Sequence, residues 1–309
     1  IVVVKKKITT VRITVSEIAE IKQNFDESYG IRIIHQKKIA SNQTTDKQNI
    51  NKNIENIFDT ISNLKPREFW EELPYKSRLK KLDGVFDEKL ENISGSNAMD
   101  IAQDMINSTI NNKVSTITGS LNIVSEDVQL SNSNGLELAD ESTYITGIIN
   151  AESEFGNIPV SGIGHASGRT LLNFSAERIG KDAKNMCIKA INPQKIDSGK
   201  YSIIFEPYSV GELLAFVVAA NFNFKTFSEK KSCFSNDLDK KIGIDELNLI
   251  DDPHIPEGIG TKSIDDEGIE TQKRNLIENG IFKNTFSNLY DSFKEGVKST
   301  GNSSRGGSP

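Results

Sequence analysis

The sequence has few of the residues that most often bind metals or cross-link chains. Its only histidines, His35, His165 and His254, lie in three separate predicted contexts, so we expect no zinc site built on histidine. Cys187 and Cys233 are the only cysteines, which favours reduced thiols over a secreted disulfide framework. The sequence therefore predicts no metal ligand set within this chain.

Long apolar runs and an excess of basic charge are also missing. The longest apolar stretch, Leu213 to Ala220, is too short to cross a bilayer. The apolar N-terminus precedes Lys5, Lys6 and Lys7, which reverses the charge order of a secretion signal. The net charge is −6, and the basic residues are dispersed among acidic ones. We therefore expect a cytoplasmic protein that binds neither membranes nor nucleic acid.

The hydrophobic patterns predict an α+β fold. β-branched alternation in residues 1–45 indicates an antiparallel meander with a turn at residues 26–30. Apolar residues at three- and four-residue spacing predict three helices, the second of which buries Met99. The predicted helices span residues 46–64, 97–112 and 176–191. Further strands are predicted at residues 115–124, 127–131 and 136–151, with a hairpin turn at Asn134-Gly135.

The character of the chain changes after Pro193. A buried strand is predicted at residues 201–205 and a short apolar helix at 209–220, followed by β structure rich in glycine, aspartate and proline. We place a domain boundary near residue 195. This gives an N-terminal sheet-and-helix domain over residues 1–195 and a β-rich C-terminal domain over residues 196–309. The chain begins with Ile1 and ends in Gly-Gly-Ser-Pro, so we expect truncation at both ends.

A histidine in a glycine-rich segment and two acidic runs contain residue types that could act in catalysis or bind a cation. His165 lies in the glycine-rich segment 162–168, which we interpret as a turn that carries a loop histidine. Consecutive acids occur at Asp251-Asp252 and at Asp265-Asp266-Glu267, but consecutive side chains on a strand point in opposite directions. We interpret both acidic runs as turn carboxylates rather than as a cation site.

Five short motifs follow one another in the last third of the chain. They are LIDDP at 249–253, GIGT at 258–261, IDDEG at 264–268, LIENG at 276–280, and STGN at 299–302 with Arg305. Their order resembles the TldD/PmbA family of peptidase proteins, formerly named as modulators of DNA gyrase. Two motifs supply the candidate site residues. The third motif contributes Asp265, Asp266, Glu267 and Gly268, and the last contributes Ser299, Thr300, Gly301, Asn302 and Arg305. We expect the third motif to be architectural, with Gly268 supplying a special backbone conformation and the acids accepting backbone hydrogen bonds.

The resemblance also implies where a metal site would lie. Catalytic members of the family carry an H-E-x-x-x-H motif, in which two histidines bind zinc and the glutamate acts as general base. The matching segment here runs from Gly211 to Phe216, so only Glu212 is kept. This pattern resembles the PmbA (TldE) branch, which lacks the zinc-binding histidines. Glu212 is either the retained motif residue or simply a carboxylate that is paired or lies at the rim of the fold.

The resemblance implies that this chain is the non-catalytic type of subunit in a heteromeric zinc metallopeptidase acting on unfolded or small peptides. The zinc would belong to a TldD-like partner subunit, although a homodimer is also open. Two alternatives remain at this stage. The chain could be an independent hydrolase using the carboxylates of Asp265, Asp266 and Glu267, or a peptide-binding assembly protein without catalysis. The sequence does not decide whether the chain is catalytic by itself.

Overall fold

A six-stranded antiparallel sheet forms the centre of the protein. The computed structural model describes residues 1–75 and 81–304. The strands occur in the order β3-β2-β1-β4-β5-β6, so two three-stranded meanders meet where β1 pairs with β4. The strands are β1 (Val2–Thr14), β2 (Glu17–His35), β3 (Lys38–Thr44), β4 (Thr116–Ser131), β5 (Glu137–Ser153) and β6 (Val160–Gly168).

Four helices accompany this sheet: α1 (Ile50–Ser62), α2 (Glu88–Glu91), α3 (Gly95–Thr109) and α4 (Ala176–Ala190). Side chains alternate between the two faces of a strand, and the odd-numbered residues of β1, β4 and β5 form the apolar face that α3 and α4 cover. The helix starts are capped, because Ser94 accepts a hydrogen bond from the amide of Asn97 and Ser175 accepts one from the amide of Arg178. A separate cluster joins α1 to β2 and β3.

Helix α4 lies very close to the edge strand β6, and glycine makes this approach possible. A Cβ atom at Gly164 would overlap the carbonyl oxygen of Ile179, and one at Gly162 would overlap the backbone of Cys187. The glycine-rich segment is therefore a strand, and the prediction of a turn there is wrong. His165 is paired opposite Ile148 and is exposed on the outer face of the sheet.

The C-terminal part has shorter elements. These are α5 (Pro207–Leu213), a π turn (Leu214–Val218), a 3-10 turn (Ala219–Phe222), α6 (Phe224–Ser228), β7 (Leu249–Asp251), β8 (Arg274–Glu278), β9 (Ile281–Phe282) and α7 (Leu289–Glu295). Strands β7, β8 and β9 form a small sheet, and most of the remaining residues lie in turns and loops. The core of this part packs Phe222 against Phe282, with their ring centroids 5.5 Å apart. The predicted α+β class is confirmed, whereas the boundary near residue 195 stays a prediction.

Several local predictions need correction. The segment 201–205 is not a buried strand: it has no regular structure, and Ile204 is 97% exposed. Residues 26–30 lie inside β2, because the chain turns instead at Val15 and Ser16, both with positive φ. The segments 115–124 and 127–131 form one continuous strand, β4, and Met99 is 38% exposed. The three predicted helices and the hairpin at Asn134-Gly135 are confirmed within a few residues.

A buried arginine joins the C-terminal part to the sheet. Arg169 follows directly after β6 and is 6% exposed. Its guanidinium donates hydrogen bonds to the carbonyl oxygens of Gly258 at 3.2 Å, Thr261 at 2.9 Å and Thr143 at 3.4 Å. Burial lowers the pKa of Arg169 from its usual value. The side chain of Arg169 thus helps to hold the loop that contains residues 258–261 against β5.

A glycine makes the second close contact between the C-terminal part and the residues of the central sheet region. Gly268 has a φ of +83°, and a Cβ atom there would lie 2.6 Å from the Cδ2 atom of Leu136. Nearby Ile264 packs against a buried cluster on the sheet that includes Leu130 and Leu136. Position 268 therefore combines a backbone conformation that favours glycine with space that only glycine fits.

We expect Gly164→Ala to lower the free energy of unfolding by about 1–3 kcal/mol, because the added methyl group overlaps the backbone of α4. Chemical denaturation of the two proteins measures this difference. Gly211→Ala is the matched control, since a Cβ atom at Gly211 has open space around it and alanine is a better helix former. Equal losses in both variants would contradict the packing of α4 on β6.

We expect Gly268→Val to lower the melting temperature, with a cost of roughly 1–3 kcal/mol from the positive φ alone. The control is Gly260→Val, because Gly260 has neither a positive φ nor a neighbour within 4 Å of its Cβ position. An unchanged melting temperature in Gly268→Val, together with a loss of any activity found for the protein, would assign the IDDEG motif to function instead of architecture.

Candidate functional site

The carboxylate of Asp265 organises the IDDEG motif. The residue is 1% exposed. Its Oδ1 atom accepts hydrogen bonds from the amides of Glu267 and Ile269, both at 2.9 Å, and its Oδ2 atom accepts one from the amide of Ser303 at 3.0 Å. Burial raises the pKa of Asp265, and the three amide hydrogen bonds oppose that effect. This carboxylate fixes a turn and fastens it to the STGN segment, so it is not available to a substrate.

Glu267 extends the same network in two further directions. Its Oε1 atom lies 3.2 Å from Nη1 of Arg32 on β2, and its Oε2 atom accepts a hydrogen bond of 2.9 Å from the amide of Leu289 at the start of α7. The Glu267 side chain is only 9% exposed. The neighbouring Asp266 is more accessible, with 40% of its side chain exposed and the ammonium group of Lys262 at 3.8 Å. Of the three motif acids, two are thus occupied by structural contacts.

The STGN motif is also bound into the fold. Thr300 Oγ1 accepts a hydrogen bond of 2.7 Å from the amide of Ser287, and the Ser299 hydroxyl donates to the carbonyl of Ser287 at 3.4 Å. Gly301 has a φ of +70° and lies against the backbone of Glu270, where a Cβ atom would overlap a carbonyl oxygen. The last site residue predicted from this motif, Arg305, lies outside the described residues.

Asn302 connects the motifs across two clefts. Its amide nitrogen donates to Oδ2 of Asp251 at 2.6 Å, while its own Oδ1 atom is buried and has no hydrogen-bond partner among residues 1–75 and 81–304. Clefts of about 310 Å³ and 320 Å³ share this pair of side chains. The first is walled by Leu214 and Val218 of the π turn. The structure therefore brings the STGN and LIDDP motifs next to the helical segment that follows Glu212.

Glu212 itself lies on the surface. It is exposed, and its side chain has no hydrogen bond or ion pair within residues 1–75 and 81–304, which agrees with a carboxylate at the rim of the fold rather than a paired one. Phe216 is 83% exposed, and Gly211 has open space at its Cβ position. The π turn Leu214–Val218 begins between positions 211 and 216. Because a π turn bonds residues five apart, it brings positions at that spacing nearer to one face than an α-helix does.

Zinc does not fit the residues present in this segment. Gly211 has no side chain and Phe216 has an apolar ring, so neither can replace an imidazole ligand. Within the described ranges, no three His, Cys, Asp or Glu side chains are grouped closely enough to bind a metal ion. Among the helices of the same residues, none combines the length and apolar character needed to cross a membrane.

Two residues of this network, Arg32 and Arg169, escaped the sequence analysis. Each contacts residues about 90 or more positions away: Arg32 binds Glu267, and Arg169 binds the carbonyl of Gly258. Neither lies in a motif or a periodic pattern that would mark it. The local sequence around both arginines carries no signal of these contacts, which arise only when the C-terminal part packs on the sheet.

Curated relatives match this chain over different lengths. An uncharacterized protein from Methanocaldococcus jannaschii is 25% identical over 279 residues, which cover 90% of this chain and 64% of that protein. The metalloprotease PmbA of Escherichia coli O157:H7 is 29% identical over 136 residues, which cover 43% of this chain and 30% of that protein. The chain thus spans less than two thirds of the length of these relatives.

Solved structures share the fold over nearly the whole chain. A Thermotoga maritima protein named for modulation of DNA gyrase superposes with a TM-score of 0.87 at 21% identity, covering 99% of this chain and 70% of that one. TldE from Thermococcus kodakarensis superposes with a TM-score of 0.83 at 20% identity, covering 99% of this chain and 71% of that one. At these identities the superpositions establish the fold alone.

The family comparison covers the region that contains the motifs. Residues 198–309 match the model of the PmbA/TldA metallopeptidase C-terminal domain. This range includes Glu212, the IDDEG segment and the STGN segment. The resemblance seen in the sequence is therefore confirmed: residues 198–309 are similar to the C-terminal domain of the PmbA/TldA metallopeptidases.

Proposed function

We propose that this chain is the subunit without a zinc site in a cytoplasmic two-subunit metallopeptidase that acts on unfolded or small peptides. A related TldD-like subunit would supply the zinc and the catalytic glutamate. This chain would supply part of the wall that excludes folded proteins and orients an extended peptide. Orientation of this kind lowers the entropic cost of reaction without any catalytic group from the subunit that provides it.

One observation carries the proposal. The C-terminal domain matches the metallopeptidase family, yet the two positions that match the zinc-binding histidines are Gly211 and Phe216. Loss of both ligands removes the means to bind the metal, while the surrounding framework of motifs is kept. A retained framework around a missing metal site favours a role in assembly with a subunit that still has the site.

The surface around the former metal positions supports contact with another subunit. Its residues belong to the extended segment 201–205 and to α5 with its π turn. They share large apolar side chains that are at least 43% exposed: Tyr201, Ile203, Ile204, Phe205, Tyr208, Leu213, Phe216 and Val217. Many exposed, large apolar side chains within one short stretch of chain are typical of an interaction site. Either a TldD-like chain or a second copy of this chain could cover it.

The independent hydrolase is less well supported. That alternative would use the carboxylates of Asp265, Asp266 and Glu267. Two of them are held by backbone amides or by an arginine, so they could not act on a substrate without breaking the turn. The peptide-binding assembly protein remains open, because the apolar surface fits that role equally well.

We expect the purified chain to hold no stoichiometric zinc after dialysis, since positions 211 and 216 offer no ligand. Elemental analysis by mass spectrometry measures the metal content directly. The double variant Gly211→His with Phe216→His should still lack efficient peptidase activity, because further ligands and their supporting hydrogen bonds are missing. One tightly held zinc per wild-type chain would contradict the assignment.

We expect hydrolysis of an unstructured peptide only after the chain is mixed with a TldD-like subunit that has an intact H-E-x-x-x-H motif. A fluorogenic peptide assay with each subunit alone and with the mixture tests this, and a chelator should abolish the activity of the mixture. Chelator-insensitive hydrolysis by this chain alone would support the independent hydrolase. Peptide binding without turnover in every combination would support the assembly protein.

A further inference from the structure

A separate cavity lies between the central sheet and the loop of residues 259–266. It faces away from α3 and α4, because its floor consists of even-numbered residues of β1, β4 and β5. Its volume is about 550 Å³, within the range of roughly 300–1,000 Å³ found for small-molecule sites. None of the residues of the former metal segment 211–216 lines it.

One end of the cavity is apolar. The strand register places Val4 opposite Val128 and Val2 opposite Leu130, so four aliphatic side chains form two adjacent cross-strand pairs. Ile264 of the loop packs on the same group from above. This end can accept an aliphatic group of a ligand, and burial of that group from water would favour binding.

The other end carries charges of both signs. Lys6 is paired opposite Glu126 on the neighbouring strand, with Nζ 2.5 Å from Oε2. The basic side chains in the lining are Lys6, Arg169 and Lys262, and the acidic ones besides the fully engaged Asp265 are Glu126, Asp140 and Asp266. Lys6 keeps 36% of its side chain exposed and Glu126 keeps 23%, so both can still be reached from the cavity. A site with both signs of charge suits a ligand that also carries both signs.

The walls of the cavity are held in place without a ligand. Arg169 binds the carbonyls of Gly258 and Thr261, and the Ser263 hydroxyl donates to Oδ2 of Asp140 at 3.2 Å. The amide hydrogen bonds to Asp265 fix the far end of the loop. A preformed site loses less conformational entropy on binding than a flexible one does.

We propose that this cavity binds a small zwitterion with an aliphatic side chain, that is, an apolar amino acid or dipeptide. The ligand carboxylate faces Lys6, its ammonium group faces Glu126, and its side chain packs against Val4 and Val128. The site contains none of residues 211–216. Its existence does not depend on the proposed subunit role, because binding can be measured on this chain alone.

Isothermal titration calorimetry of the full chain with leucyl-leucine tests the proposal. We expect saturable binding with a dissociation constant of about 1 mM or lower. Seryl-serine tests the apolar end and N-acetyl-leucinamide tests the charged end, and both should bind at least about tenfold more weakly. No saturable binding of leucyl-leucine, or equal binding of the uncharged compound, would overturn the proposal.

Two pairs of variants, each pair on one strand, distinguish the loss of a contact in the site from a general effect on the sheet. Lys6→Met should weaken leucyl-leucine binding about tenfold or more through loss of a charged contact. Lys5→Met is its control, because Lys5 is the next residue along β1, is 52% exposed, and does not line the cavity. Glu126→Gln and its neighbour Asp127→Asn form a second pair. Circular dichroism confirms folding of each variant, and an equal loss within both pairs would contradict the site.

Discussion

The guanidinium of Arg169 makes the central contact between the sheet and the C-terminal part of the chain. A buried arginine must replace its lost hydration with hydrogen bonds, and here carbonyl groups from β5 and from the loop at residues 258–261 supply them. The negative charges of Glu126 and Asp140 favour the charged guanidinium, and the backbone carbonyl groups make its direct hydrogen bonds. The loop is therefore fixed against the sheet, and both the IDDEG turn and the roof of the sheet cavity follow from that placement.

Asp265 and Glu267, the acids that most resemble catalytic groups, instead stabilise the fold through hydrogen bonds to backbone amides. Asp265 and Glu267 each bind backbone amides from distant segments, at Ser303 and at Leu289. A carboxylate with two or three such partners is well satisfied, and freeing it would leave buried amides without acceptors. The motif therefore preserves the shape of the domain. This separation between a preserved framework and absent metal ligands underlies the proposed role beside a zinc-bearing subunit.

The two candidate surfaces differ in physical character. The segment around Gly211 and Phe216 is apolar and broadly exposed, which suits a large partner that removes it from water. The cavity on the sheet is concave and carries charges of both signs, which suits a small molecule. Because the segment 211–216 does not line the cavity, occupation of one surface need not block the other.

Periodicity and short motifs were enough to identify the α+β class, the three long helices and the family of the C-terminal region, because these depend on local patterns along the chain. The same patterns misassigned the glycine-rich segment around His165, since glycine there serves the close approach of α4, a helix that follows later in the sequence. Segment 201–205 has the β-branched composition of a buried strand, yet no described strand pairs with it. The roles of Arg32, Arg169 and Asp265 were decided only by tertiary structure, because their partners lie far away in sequence and no local pattern encodes such contacts.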